Sequence, residues 1–210
     1  MLSDQGKYEE AESYYVEALE ARRRILGDEH PDTITSINNM GGLFSNQSKY
    51  DEAEPYYVEA LETSRRILGD EHLRTLIAIG NMGELLKSQG KYDEATPYCT
   101  EALATARRTL GDEHPITNKA MEYMGVLLMK QGRYDDAASH LVEALDIRRR
   151  MLGNEHSATI LLINTMIELR ELQGKPDDAQ KYRDMLPTED PQQTTPQSES
   201  TQEPGEPAAP

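Results

Sequence analysis

The chain has 210 residues, a formal net charge of −16 and a sequence pI near 4.7. So acidic a balance argues against nucleic acid or an anionic membrane surface as the partner, because both attract basic proteins. The sequence contains no apolar run long enough to span a membrane and no signal-peptide pattern at its start, and its single cysteine cannot form an internal disulfide. We therefore expect a cytoplasmic protein without membrane insertion.

Three short motifs recur at an unbroken spacing of 42 residues. Leu-Gly-(Asp/Asn)-Glu-His occupies 26–30, 68–72, 110–114 and 152–156; Glu-Ala-Leu occupies 17–19, 59–61, 101–103 and 143–145; Gln-(Gly/Ser)-(Lys/Arg)-Tyr occupies 5–8, 47–50, 89–92 and 131–134. A constant period of this length indicates a solenoid, in which each unit buries its apolar face against its neighbours. The sequence therefore predicts a function carried by a surface rather than by a catalytic pocket.

The chain begins inside a repeat, because Met1-Leu2 align with Leu43-Phe44. Residues 1–30 are accordingly predicted to be a partial leading repeat that holds only a second helix, from about residue 8 to 26. We expect this helix to have an uncovered apolar flank. The flank indicates either a fragment or a docking surface, which includes possible self-association.

Three full units follow, at 31–72, 73–114 and 115–156. In the first, an apolar stripe from Ile34 to Phe44 predicts one helix. Asp51-Glu52 predicts the start of a second helix, because acidic side chains stabilise helix N-termini. A recurring glycine inside the first helix, at Gly41, Gly83 and Gly125, predicts that another helix crosses closely there.

The end of the repeat array is predicted at residues 157–186, which we interpret as a C-terminal capping repeat. Pro176 replaces the recurring tyrosine, and Arg183 occupies a position that is large and apolar in other units. Residues 187–210 are rich in Pro, Gln and Thr, with five acidic residues and no basic ones. That composition predicts a disordered acidic tail.

This anatomy resembles the tetratricopeptide repeat. The small residues of that family fall on Gly41, Gly83 and Gly125 in the first helices and on Ala11, Ala53, Ala95, Ala137 and Ala179 in the second. The 42-residue unit, Leu-Gly-Asp-Glu-His-Pro at 26–31 and Asn38-Asn39-Met40-Gly41 are similar to the kinesin light chain subtype. The resemblance implies an all-α fold, a right-handed α-solenoid of helix-turn-helix repeats whose first helices line the concave side.

Several recurring residues invite a chemical interpretation. The histidines at 30, 72, 114 and 156 lie one unit apart, roughly 10 Å for packed helices, which is too far for one shared metal ion. We expect them to bond the start of the next helix. Cys99 aligns with Tyr57 and predicts a buried thiol rather than a nucleophile. No catalytic residue, metal site or cofactor is predicted, and the chain is not expected to be an enzyme.

Arginine clusters end the second helices, at 22–24, 65–66, 107–108 and 148–150. One interpretation is structural: cations stabilise helix C-termini, and Glu20–Arg24, Glu62–Arg66 and Asp146–Arg150 are spaced for i,i+4 pairs. The alternative is a basic row that binds an anionic partner.

The resemblance implies that first-helix residues outside the apolar stripe form a peptide-binding groove. The candidates are Thr35, Asn38, Asn39, Ser45, Ile77, Asn81, Glu84, Lys87, Lys119, Glu122, Val126, Met129 and Asn164. Paired asparagines in kinesin-light-chain-like repeats hold a peptide backbone, because an amide both donates and accepts. Alternatively, the asparagines bond neighbouring first helices to each other. We expect a groove that is polar near Asn38 and more apolar around Val126 and Met129.

The leading hypothesis is a non-catalytic scaffold of kinesin light chain-like cargo or adaptor type, which binds an extended peptide or protein segment in its groove. The alternative is an oligomerisation or regulatory repeat module cut from a larger multidomain protein, such as a nucleotide-binding switch or a kinase.

Overall fold

The computed structural model describes residues 8–187, with side chains from residue 10 onward, so the expectations for residues 1–7 and 188–210 lie outside it. The described chain folds into nine helices. They are α1 (Tyr8–Leu26), α2 (Pro31–Asn46), α3 (Tyr50–Leu68), α4 (Leu73–Ser88), α5 (Tyr92–Leu110), α6 (Pro115–Lys130), α7 (Tyr134–Leu152), α8 (Ser157–Leu172) and α9 (Pro176–Arg183). The predicted all-α repeat fold is confirmed.

The helices pack in sequence order as antiparallel hairpins, with α2 on α3, α4 on α5, α6 on α7 and α8 on α9. Neighbouring first helices also approach each other directly, α2 with α4, α4 with α6 and α6 with α8. Consecutive second helices in the described chain lack a comparably close backbone approach. The first helices therefore form the inner, more tightly spaced row of the stack.

The recurring histidines begin the first helices, as expected. His30 and its counterparts at 72, 114 and 156 are N-cap residues in extended conformation, and each Nδ1 accepts the backbone N–H two residues on at 3.1–3.2 Å. This bond satisfies a helix N-terminal donor that has no partner within the helix. The second helices end at a glycine, such as Gly69, whose φ of 86° favours glycine strongly.

The three interior glycines mark close helix crossings. A Cβ placed on Gly41 would lie 2.8 Å from the ring of Tyr57, one on Gly83 would lie 2.9 Å from Cys99 Sγ, and one on Gly125 would lie 2.5 Å from Leu141 Cγ. Side-chain carbons do not tolerate such distances, so α2, α4 and α6 need glycine where their hairpin partners cross. The predicted close approach is confirmed at all three positions.

The core is continuous from α3 to α9, and a smaller apolar cluster joins α1, α2 and α3. Its residues come from the predicted stripes, including Ile37, Met40 and Ala53, which are fully buried or nearly so. The apolar stripe of α3 does not continue to its end, since Ile67 in the last turn is 40% exposed.

A second feature was not predicted: an arginine ladder, defined here by Arg23–Glu59, Arg65–Glu101 and Arg107–Glu143, joins consecutive second helices. The Nη2-to-carboxylate distance is 2.6 Å in the first two pairs. Each arginine also contacts the aspartate of the following turn, as Arg65 contacts Asp70 at 3.4 Å. The ladder explains why the glutamate of Glu-Ala-Leu recurs, because it receives the arginine of the preceding repeat.

The neighbouring arginines were expected to pair within their own helix, and that expectation was wrong. Arg66 instead contacts Glu29 at 2.6 Å, Arg150 contacts Glu113 at 3.3 Å, and Arg108 contacts Glu71. Each acid belongs to the Leu-Gly-Asp-Glu-His turn of the preceding repeat. These side chains point along the stack rather than along their own helix, so an acidic residue of another repeat satisfies them.

Candidate functional site

A polar cleft of about 490 Å³ opens on the first-helix row. It is lined by Tyr15, Asn38, Asn39, Gly42, Leu43, Ser45, Asn46, Tyr50, Tyr57, Asn81, Glu84, Ser88, Lys119 and Tyr123. Six predicted groove residues are among them: Asn38, Asn39, Ser45, Asn81, Glu84 and Lys119. The fold thus gathers side chains from α2, α4 and α6 around one concavity.

Asparagines dominate the α2 and α4 walls of the cleft. Asn81 Nδ2 donates a hydrogen bond of 2.9 Å to Asn38 Oδ1. The alternative proposed for these residues, a bond between neighbouring first helices, is therefore present. It leaves the Asn38 amide donor, the Asn81 side-chain oxygen and one Asn81 side-chain N–H for another partner. The Asn39 side chain is exposed and makes no hydrogen bond within the described residues. Both donors and acceptors consequently face the cleft.

Charged side chains surround an aromatic ring at the α4–α6 side. Lys119 Nζ lies 4.8 Å from the centre of the Tyr123 ring and Lys87 Nζ lies 6.0 Å from it, distances at which a cation is attracted to a π face. Lys87 also contacts Glu84 at 2.8 Å. Burial raises the pKa of the Tyr123 phenol, and the carboxylates of Glu84 and Glu122 raise it further. The tyrosine therefore acts here as a neutral donor and apolar surface.

Tyr57 contributes the base of the cleft from α3. Burial raises the pKa of Tyr57 to about 12, and the opposing effect of its hydrogen bond to Ser45 is smaller. Ser45 was predicted from its place on α2, whereas Tyr57 and Tyr123 were assigned to the core or left out. Tyr123 aligns with the predicted groove residues Asn39 and Asn81, so its position could have indicated that it reaches the cleft. Tyr57 aligns with Cys99 and Leu141, which are buried, and gave no such signal.

Farther along the stack, Glu122 aligns with Asn38 but forms its contacts inside the protein rather than in the cleft. Arg148 is 8% exposed, and its Nη2 donates to Asn118 Oδ1 at 2.6 Å and to Glu122 Oε2 at 2.8 Å. Asn118 in turn donates to the carbonyl of Ala144 at 2.7 Å. We call Arg148, Asn118 and Glu122 the buried polar cluster. Glu122, predicted to face a ligand, is thus held mainly by an internal ion pair.

The remaining predicted residues are spread out. The Thr35 hydroxyl donates to the carbonyl of Pro31 at 2.9 Å, and Asn164 on α8 is exposed but is not among the residues that line the cleft. Met129 was expected to line the groove, but it is only 5% exposed. Its side chain lies on the core side of α6 and packs in the apolar core. Val126 is half-buried against that core, so the predicted apolar stretch of groove is largely internal.

Burial shifts the pKa of two other side chains, Cys99 and His140. Cys99 is buried, and burial raises the pKa of its thiol to about 11, which suits packing rather than nucleophilic attack. His140 stands apart, and burial lowers the pKa of its imidazole, followed by the nearby charge of Arg107. Residues 8–187 contain no group of three or more potential metal ligands. Within that range no helix is long and apolar enough to cross a membrane.

Two profiles described as tetratricopeptide repeat match this chain, one at residues 1–57, 36–96 and 75–125 and the other at 119–158. The chain belongs to the tetratricopeptide repeat family. A curated relative, a nucleotide-binding leucine-rich repeat (NLR)-like protein of Hyaloscypha variabilis, is 58% identical over 33 residues, 16% of this chain. The chain spans only 3% of that relative's length.

Solved structures with the same tetratricopeptide fold extend the comparison. BtubC (BKLC) from P. vanneervenii superimposes with a TM-score of 0.71 at 24% identity, over 87% of this chain and 73% of that one. Two crystal structures of a Podosopora anserina protein, described as a kinesin light chain with nearly identical TPR-like repeats, give TM-scores of 0.71 and 0.69 at 18% identity. They cover 87% and 88% of this chain, and 86% and 87% of their own. The kinesin-light-chain-like resemblance is thus confirmed at the level of fold.

Proposed function

We propose that this tetratricopeptide repeat chain is a non-catalytic interaction scaffold that binds an extended peptide or protein segment in the polar cleft. The observation that carries the proposal is the set of amide donors and acceptors that the Asn38–Asn81 bond leaves over, together with the Asn39 amide, all lining one concavity. An extended backbone presents alternating N–H and C=O groups, and asparagine amides can bond both kinds. The fold similarity to kinesin-light-chain-like repeats supports a cargo or adaptor role as the finer form of this proposal.

The experiment is a peptide array probed with the purified chain and with an Asn38→Ala, Asn81→Ala double variant. We expect the wild type to retain a subset of peptides and the double variant to lose at least roughly tenfold in affinity for them, as expected when two backbone bonds are removed. Asn154→Ala is the matched control, because Asn154 bonds Arg149 at a turn outside the cleft. Equal binding by the double variant and the wild type would contradict the proposal.

The second candidate function is a regulatory or oligomerising repeat module within a larger protein. The match to the NLR-like relative favours it, although it covers only 33 residues. Light scattering over a range of protein concentrations tests the oligomerising form. A concentration-dependent rise in mass, lost when exposed α1 residues such as Tyr14 and Val16 are changed to Ser, would support it. A strict monomer would count against self-association.

A further inference from the structure

A small pocket lies beside the polar cleft, between α4 and α6. Its volume is about 80 Å³ and its walls are mainly apolar, with Leu76, Ile116 and Ala120 among them. We call it the anchor pocket. It shares Asn81, Lys119 and Tyr123 with the polar cleft, so the two form one continuous surface with an amide-rich part and an apolar recess.

Gly80 lines the anchor pocket, and the fold does not require a glycine there. A Cβ on Gly80 would meet the Tyr123 ring at 3.7 Å, an ordinary contact, whereas the three recurring glycines would bring theirs to 2.5–2.9 Å of a neighbour. Glycine in a helix interior is destabilising relative to alanine. The aligned positions of the other repeats hold Asn38, Glu122 and Asn164. The missing side chain is thus specific to this repeat and opens the recess.

The volume restricts what can enter. The recess has about half the volume of an apolar cavity of about 150 Å³ that holds a benzene molecule, so a small alkyl group fills it better than an aromatic ring does. A branched alkyl group of three or four carbons, as in valine, leucine and isoleucine, suits a recess of this volume. Ile77, 37% exposed at the mouth, adds apolar contact for such a group.

We propose that the anchor pocket receives one valine, leucine or isoleucine side chain of an extended peptide whose backbone lies in the polar cleft. Gly80 is then the specificity-determining residue, because any side chain at this position takes up the space of the alkyl group. The inference rests on the proposed function and adds the chemistry of one ligand position to it.

The test is a positional-scanning nonapeptide library in which each position is fixed in turn as one of the natural residues. The wild type is expected to select Val, Leu or Ile over Phe and Trp at one position by roughly tenfold, the lower end of what a methylene-sized difference in a pocket gives. Gly80→Ala should reduce that preference and Gly80→Leu should abolish it, while binding to the rest of the peptide persists. Thermal unfolding of each variant establishes that it is folded.

Gly42→Ala is the matched control, because it adds the same methyl group to the polar cleft but not to the anchor pocket, 3.6 Å from Tyr57 Oη. This variant should keep the aliphatic preference. Peptide binding without an aliphatic preference, or a preference that survives Gly80→Leu, would overturn the inference and leave the proposed function standing. A wild type that binds no library peptide would sink the proposed function and the inference with it.

Discussion

The second-helix edge of this solenoid, which carries the arginine ladder, repeats its side-chain contacts from unit to unit, whereas the first-helix row does not. On the edge, the contact of Arg65 with Glu101 has a counterpart at each neighbouring interface. On the first-helix row, one aligned position holds three different residue types in four repeats: Asn38, Gly80, Glu122 and Asn164. The difference teaches that the period marks residues which hold repeats together. The departures from the period mark where this chain differs in what it binds or buries.

The largest expected effect concerns the buried polar cluster. Arg148→Ala leaves Glu122 and Asn118 without their shared donor in the interior, and removing one partner of a buried ion pair typically destabilises by about 3–5 kcal/mol. Urea unfolding followed by circular dichroism measures the change. The triple variant Arg148→Ala, Asn118→Leu, Glu122→Gly copies the combination of Ala106, Leu76 and Gly80 and should recover most of the loss, because no charge of the cluster is left unpaired. A single variant as stable as wild type would contradict the assignment.

Next in size is the contrast between a repeated glycine and an unrepeated one. Gly125→Ala places a carbon 2.5 Å from Leu141 Cγ, and overpacking of this kind costs about 1–3 kcal/mol. Gly80→Ala meets only ordinary contacts, so the better helix propensity of alanine should stabilise the chain by up to about 1 kcal/mol. Melting temperatures of the two variants should move in opposite directions. Shifts of the same sign would break the distinction between packing glycines and pocket glycines.

A smaller effect is expected at the turn after α2. Ser48 has φ 60°, where the aligned turns hold Gly90, Gly132 and Gly174 at φ 69–77°. A left-handed conformation is unfavourable for a residue with a Cβ, so Ser48→Gly should stabilise the chain by about 0.5–1 kcal/mol. Chemical unfolding tests the sign. Destabilisation would mean that Ser48 makes a compensating interaction.

The smallest effect is expected on the arginine ladder. Arg65 is about a third exposed, and pairs of this kind contribute about 0.5 kcal/mol each. Arg65→Ala should therefore lower stability slightly at low salt, and the difference should shrink at high salt because ions screen the pair. A loss independent of salt would show that the aliphatic stem, rather than the charge, holds the repeats.

Much of the fold was predictable because the period exposes it. The glycine crossings and the histidine caps follow from residues that recur in step, and local geometry explains both. The ladder was missed for a physical reason: arginine reaches across to the next repeat, so its acid lies 36 residues away rather than four. Two recurring positions of opposite charge could have indicated it.

The site was less predictable. Asn38 and Asn39 were found because the consecutive pair resembles a known pattern, and Asn81 because it keeps half of that pair. Whether Met129 faces solvent or core depends on the rotation of α6, which a sequence stripe fixes only approximately. Gly80 and Tyr123 form a recess between different helices. Such a recess exists only after packing, so no local pattern in either helix predicts it.

The most direct measurement of the central claim compares peptide affinity in two double variants of similar, modest expected cost to stability. Asn38→Ala, Asn81→Ala alters the first-helix row, and Arg65→Ala, Glu101→Ala alters the ladder. Isothermal titration with a peptide from the array should give at least roughly tenfold weaker binding for the asparagine variant and wild-type affinity for the ladder variant. Weaker peptide binding by the ladder variant than by the asparagine variant would contradict the claim that the first-helix row binds the peptide and the ladder only holds the repeats together.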